Sequence, residues 1–173
     1  CSPTRASIMT GKHPARVNIT DWIPGLEEQI NYNTTKNLLV GPKDRDELPL
    51  DEITIAEVLK MNGYKTFYSG KWHLGSEGYY PEDQGFDINV GGNESGGPGS
   101  YFPTYRNVNK NLKTDPKEDY LTDRLGTEVV KFIEKNKNLK FFAYVPFFSV
   151  HTPIQAKPEY ESKYKTKKSD DFH

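Results

Sequence analysis

Cys1 and Arg5 lie four residues apart in the string Cys1-Ser2-Pro3-Thr4-Arg5, which runs on to Thr10-Gly11. Pro3 suits the first turn of a helix and Gly11 its C-terminal end, so the spacing predicts a short helix over about residues 3–10. A thiol at that N-terminus, flanked by Arg5, is expected to have a lowered pKa and to be reactive, which fits several nucleophilic chemistries. A lone cysteine is more often a small buried residue, so the surrounding string carries the signal. Lys71 and His73 stand two apart in Gly70-Lys71-Trp72-His73-Leu74-Gly75. On an extended stretch such a pair points one way, and a fixed cation beside a titratable base suits an anionic group undergoing proton transfer. His151 follows an apolar run, in Ser149-Val150-His151-Thr152-Pro153; there the alternative is a structural histidine at a strand end. His13 is expected to cap the end of the first helix. Asp21 and Trp22 read as loop packing ahead of a substrate subsite, and His173, the last residue, has no context. Asp170-Asp171, after a lysine-rich stretch, is rejected as a metal pair.

These residues need elements to hold them. Ile53, Ile55, Ala56, Val58, Leu59 and Met61 recur at helical spacing and end at Asn62-Gly63, a C-cap signal. Tyr64-Lys65-Thr66-Phe67-Tyr68 then alternates as a strand and delivers Lys71 and His73 at its C-terminal end, where ligand sites gather in open α/β sheets. A second helix is expected with Thr122 or Asp123 as its cap and Leu125, Val129, Val130, Phe132 and Ile133 on its apolar face. It precedes Phe141-Phe142-Ala143-Tyr144-Val145, an apolar run fit for a buried parallel strand leading to His151. Residues 21–50 and 76–118 read as loops, the second carrying a glycine-rich patch at 91–97 that matches no phosphate cradle and reads as a linker or lid. The tail from Lys157 to Lys168 reads as a solvated amphipathic segment. Two successive αβ units argue for an α/β sandwich with a mostly parallel sheet flanked by helices.

The 23 basic and 24 acidic residues are mixed along the 173-residue chain. That balance gives no electrostatic argument for nucleic acid or an anionic membrane, and no apolar run is long enough to span a bilayer. One cysteine excludes an internal disulfide framework. Both ends read as cuts in a longer protein.

The string Cys1-Ser2-Pro3-Thr4-Arg5 with Thr10-Gly11 resembles the sulfatase signature Cys-x-Pro-x-Arg followed by Thr-Gly. Gly70-Lys71-Trp72-His73-Leu74-Gly75 resembles that family's second signature, and His151 its strand-end histidine. The resemblance implies an alkaline-phosphatase-like fold and a partial catalytic domain over 1–173. It also implies a formylglycine nucleophile made from Cys1, with Arg5, Lys71, His73 and His151 catalytic and Cys1 the one metal ligand present. Ca2+ is the implied cation, with its other ligands and a second lysine outside this chain. A sulfated carbohydrate is the implied substrate, a formylglycine-generating enzyme the implied partner, and export to the periplasm, cell exterior or lysosome the implied destination. The alternatives are a phosphonate or phosphate ester hydrolase of the same superfamily, a non-catalytic glycan-binding relative, and a thiol enzyme that keeps Cys1 unmodified.

Overall fold

The computed structural model describes residues 1–23, 44–108, 111–113 and 120–165. Strand β1 (Lys65–Ser69) is central in a parallel three-stranded sheet, between β2 (Ile88–Val90) and β3 (Phe141–Tyr144). Phe67 is in register with Ile88 on one side and Ala143 on the other. Period-2 alternation in β1 sends neighbouring rings to opposite faces. Phe67 stacks on Phe132 of helix α4 (Leu121–Asn136), with ring centroids 4.4 Å apart. Tyr68, fully buried, meets Trp72 and Phe86 edge-on at 5.3 and 5.0 Å on the other face. Aromatic contacts of this geometry add about 0.5–1.5 kcal/mol each beyond the area they bury.

Helix α1 (Ser2–Thr10) packs into the Tyr68 core through Ser2, Ala6 and Met9, a spacing of four and three that lines one helical face. A short helix α2 (Pro14–Val17) follows. Here His13 is the N-cap of α2, its Nδ1 accepting from the Ala15 N–H at 3.3 Å. This corrects the expected role at the end of α1, which Gly11 closes in the left-handed conformation at φ 68°.

Helix α3 (Ile55–Met61) starts at a capping box: Thr54 Oγ1 accepts from the Glu57 N–H at 3.2 Å, and the Glu57 carboxylate accepts from the Thr54 N–H at 2.7 Å. Its expected apolar face is mostly in solvent. Ala56 is buried, whereas Ile53, Ile55, Val58 and Met61 are exposed. Helix α4 begins before its expected caps, with Tyr120 at the N-cap and no side-chain cap bond. Thr122 instead shares a 2.7 Å hydrogen bond with Ser149, and Asp123 pairs with Lys157. Of its expected apolar face, Leu125 and Phe132 are buried, Val129 is half-buried, and Val130 and Ile133 are exposed. Helix α5 (Pro158–Tyr164) buries no residue, in keeping with a solvated segment; residues 166–168 of that segment lie outside the described residues.

Two strand expectations are corrected. Strand β3 is parallel but only half-buried, because among the described residues it pairs with β1 alone and its other edge is open. Within 76–118 the structure adds a 3-10 turn (Pro81–Gln84) and β2. Strand β2 turns its polar Asn89 inward (8% exposed) and its apolar Ile88 outward (44%), so no hydrophobic alternation announced it. Buried Asn89 holds the turn that follows, donating to the Gly92 carbonyl and accepting from the Gly92 N–H, both at 2.9 Å. The described part of 21–50 contains neither helix nor strand; 24–43 lie outside the described residues. Among the described residues no helix is long and apolar enough to cross a membrane.

Gly70 ends β1 at φ 129°, where a Cβ would collide with the Pro146 carbonyl. Gly126, inside α4, has nothing within 4 Å of an added Cβ. Chemical denaturation should show Gly70→Ala costing about 3 kcal/mol or more, and Gly126→Ala gaining about 0.5–1 kcal/mol. Equal effects of the two would contradict this placement.

Candidate active site

Because the three strands are parallel, the loops after them leave the sheet at one edge, where open α/β sheets place ligands. The loop after β1 carries Lys71 and His73, the loop after β2 carries residues 91–97, and the loop after β3 carries His151. These three loops and the start of α1 meet around Cys1. A cavity of about 620 Å³ opens there, its walls including Cys1, His73, His151, Trp22, Gly96 and Gly97.

Lys71 Nζ lies 3.0 Å and His73 Nδ1 3.3 Å from Cys1 Sγ. The pair converges as expected, but not on an extended stretch. The strand has ended at Ser69, and His73 sits in the left-handed region at φ 59°, so a bent loop brings the two side chains together. A non-glycine residue there costs of order 1 kcal/mol or more and persists only when its surroundings fix it. The surroundings do so. The His73 N–H donates to the Asn93 carbonyl at 3.0 Å, and its carbonyl accepts from Ser2 Oγ at 3.0 Å. Ser2 Oγ in turn accepts from the Ile23 N–H at 3.1 Å.

His73 Nε2 bonds the Ile23 carbonyl. A carbonyl only accepts, so Nε2 carries the proton and Nδ1 turns a lone pair toward Cys1. Burial disfavours the charged ring and lowers its pKa to about 4, against the raising effect of the Ile23 bond. His73 is therefore a neutral base at ordinary pH. Lys71 is 3% exposed, and burial followed by the Arg5 charge lowers its pKa to about 8. It lies behind Cys1 instead of on the cavity wall.

Arg5 does not bond Cys1 through its side chain; its Nη1 donates to the Lys71 carbonyl, which also accepts from the Tyr68 hydroxyl. Arg5 Nε is buried and has no hydrogen-bond partner among the described residues, leaving one guanidinium donor uncommitted. His151 is exposed, and its Nδ1 donates to the Thr152 carbonyl at 2.7 Å, so Nε2 is the nitrogen left for a ligand.

Sequence reasoning missed Ser2, which holds the His73 backbone, and Gly96 and Gly97, which line the cavity. Ser2 occupied a variable position of its motif. The two glycines became readable only once β2 directed their loop at the site. Trp22, read as loop packing, is 41% exposed on the cavity wall. His173 and Asp170-Asp171 lie outside the described residues. Among the described residues no three acidic, histidine or cysteine side chains cluster to hold a metal, and the groups nearest Cys1 are cationic or neutral. These residues do not by themselves fit a divalent cation.

A sulfatase family model matches residues 1–172. An arylsulfatase of Hemicentrotus pulcherrimus is 33% identical over 175 residues, covering 89% of this chain and 29% of the relative. Arylsulfatase G of Rattus norvegicus is 30% identical over 192 residues, covering 91% and 33%. The chain thus spans about a third of these relatives' length. Among solved structures, Ps i-CgsB in complex with k-i-k-neocarrahexaose matches with a TM-score of 0.69 at 28% identity, over 99% of this chain and 39% of that one. BT4656 in complex with D-glucosamine-2-N,6-O-disulfate shares the fold, with a TM-score of 0.63 at 24% identity over 95% of this chain and 28% of that one.

The His73 assignment predicts its nitrogen spectrum. Histidine 15N NMR at pH 6 should show a neutral ring protonated on Nε2, titrating only near pH 4. A ring already charged at pH 6, or protonated on Nδ1, would contradict it.

Proposed function

Because this chain belongs to the sulfatase family, we propose that it is the central part of a sulfatase catalytic domain that hydrolyses sulfate esters, with Cys1 converted to formylglycine as nucleophile. One observation carries the reading: a lysine and a neutral histidine converge on Cys1 at the mouth of a cavity. Exposed apolar residues on α3 and the open edge of β3 fit a piece that packs against further parts of a longer domain.

In this proposal a formylglycine-generating enzyme oxidises Cys1, and Sγ marks the place of the oxygens that replace it. The hydrated aldehyde has two hydroxyls. One attacks sulfur, and the ester oxygen leaves as an alcohol. The resulting sulfate hemiester collapses when the second hydroxyl loses its proton, the carbonyl re-forms and sulfate departs. A serine has no second hydroxyl and cannot release sulfate this way.

His73 Nδ1 is the base for the second hydroxyl, its lone pair aimed there by the bond from Nε2 to Ile23. Lys71 stabilises charge gathering on the diol and on a sulfate oxygen. Arg5 fixes the Lys71 backbone and offers its uncommitted donor to the diol. His151 contacts sulfate and, as the imidazolium with both ring nitrogens protonated, gives its Nε2 proton to the leaving oxygen. The family mechanism is metal-dependent; we propose Ca2+, with Cys1 as its ligand among the described residues. The preferred substrate is a sulfated carbohydrate, supported by the 28%-identical Ps i-CgsB complex with neocarrahexaose. Export to the periplasm, cell exterior or lysosome completes the proposal.

Sulfate release by the full-length matured protein tests this against phosphate and phosphonate esters assayed side by side. Sulfate esters should turn over faster, and Lys71→Ala should cost about 10²–10³ in kcat. Preference for phosphonates would overturn the sulfatase reading. The pH dependence follows from two charge states. On a nitrophenyl sulfate, whose leaving group needs no proton from His151, His73 must be neutral, so kcat/KM should rise as pH passes upward through about 4; Lys71 must be charged, so it should fall through about 8. A profile still rising at pH 9 would exclude Lys71 as the required cation.

A further inference from the structure

The glycine-rich patch after β2 has a role that neither linker nor lid describes. A Cβ on Gly96 would lie 2.7 Å from Cε1 and 2.9 Å from Nε2 of His73. A Cβ on the next residue, Gly97, would lie 2.8 Å from both Cε1 and Nδ1 of His151. Neither glycine has a left-handed backbone, so the chain conformation does not require glycine at either position. The imidazole rings do.

The contacts are not ones that either side can easily relax. His73 is 3% exposed and bonded through both ring nitrogens. The loop is tied down on both sides of the pair. Before it, the Asn93 carbonyl accepts from the His73 N–H, and the Glu94 carboxylate accepts from the Tyr80 hydroxyl at 2.5 Å. Beyond it, the Pro98 carbonyl accepts from the Asn107 N–H at 3.2 Å, and the Gly99 carbonyl from Arg106 at 3.1 Å. His151 is the more exposed ring, held at Nδ1 by the Thr152 carbonyl and at its own carbonyl by the Tyr101 hydroxyl at 3.0 Å.

We propose that Gly96 and Gly97 are positioning residues: one bare peptide lies against both imidazoles and sets their separation across the cavity. The peptide joining them is planar and spaces consecutive Cα atoms by about 3.8 Å, so it acts as a rigid spacer. A side chain at Gly96 displaces His73 from Cys1, and one at Gly97 displaces His151 from the sulfate side. The catalytic meaning of the two displacements rests on the roles proposed above. The contact itself does not.

A double-mutant cycle in the full-length enzyme tests this, comparing Gly97→Ala, His151→Ala and the pair by kcat/KM on an alkyl sulfate, whose poor leaving group needs the His151 proton, and by Tm. Gly97→Ala should lower kcat/KM about tenfold or more with His151 present, and less than twofold once His151 is alanine, because residues acting as one unit are non-additive. Its Tm deficit should likewise vanish in the His151→Ala background, a result readable even where Gly97→Ala alone folds poorly. Equal losses in both backgrounds, or no loss in either, would overturn the proposal. For the partner glycine, Gly96→Ala should lower Tm with His73 present and leave it unchanged in a His73→Ala background, where the ring it would strike is gone; equal losses in both backgrounds would overturn that half. Failure of the functional reading shows elsewhere: a His151→Ala enzyme that handles alkyl and nitrophenyl sulfates with equal loss has no leaving-group role for His151, whatever the Tm cycle gives.

Discussion

His73 presents four polar groups, and together they bond to three different parts of the chain. Its N–H goes to Asn93 after β2, its carbonyl to Ser2 at the start of α1, Nε2 to Ile23, and Nδ1 to Cys1. This arrangement holds a non-glycine residue at φ 59° and fixes a tautomer whose lone pair can face only one way. The start of α1, Ile23, the β1 loop and the glycine loop have their relative positions in the site through this one residue. Remove it, and three segments lose a shared anchor.

Lys71 is fixed more simply. Its carbonyl accepts from Arg5 and from the hydroxyl of fully buried Tyr68, so the hydrophobic core reaches to within one residue of the chemistry. Tyr68 lies among Trp72, Phe86 and Tyr144, so core packing on that face of the sheet is also site geometry. Burial then does chemical work: it lowers both Lys71 and His73 toward the deprotonated state, by unequal amounts from unequal starting points. A charged lysine and a neutral histidine coexist between about pH 4 and 8.

The sequence revealed the parts of this site that rest on local spacing. Helix α1, strand β1 and the Asn62-Gly63 helix end follow from short-range pattern, whereas Lys71 and His73 reach Cys1 through a bent loop in place of the expected extended stretch. What it concealed depends on partners far away in the chain. Strand β2 buries an asparagine and exposes an isoleucine, the reverse of the usual alternation, so the loop it aims at the site looked like a linker. Thr122 and Asp123 looked like caps but are engaged by Ser149 and Lys157 across tertiary contacts. Apolar spacing in α3 announced a buried face, yet the described residues bury Ala56 and half-cover Leu59 while leaving Ile53, Ile55, Val58 and Met61 exposed. His13 had the right chemistry for a cap and was assigned the wrong helix, because α2 is too short to show a period.

The proposed chemistry places an aldehyde where the thiol lies between Lys71 and His73. Its most direct test is a peptide mass spectrum across Cys1, taken on the full-length protein co-expressed with a formylglycine-generating enzyme. The thiol should be replaced by an aldehyde, with sulfur lost and one oxygen gained. An unmodified thiol, in the presence of a maturation system shown to work on another substrate, would contradict it and leave Cys1 a conventional nucleophile or no nucleophile at all.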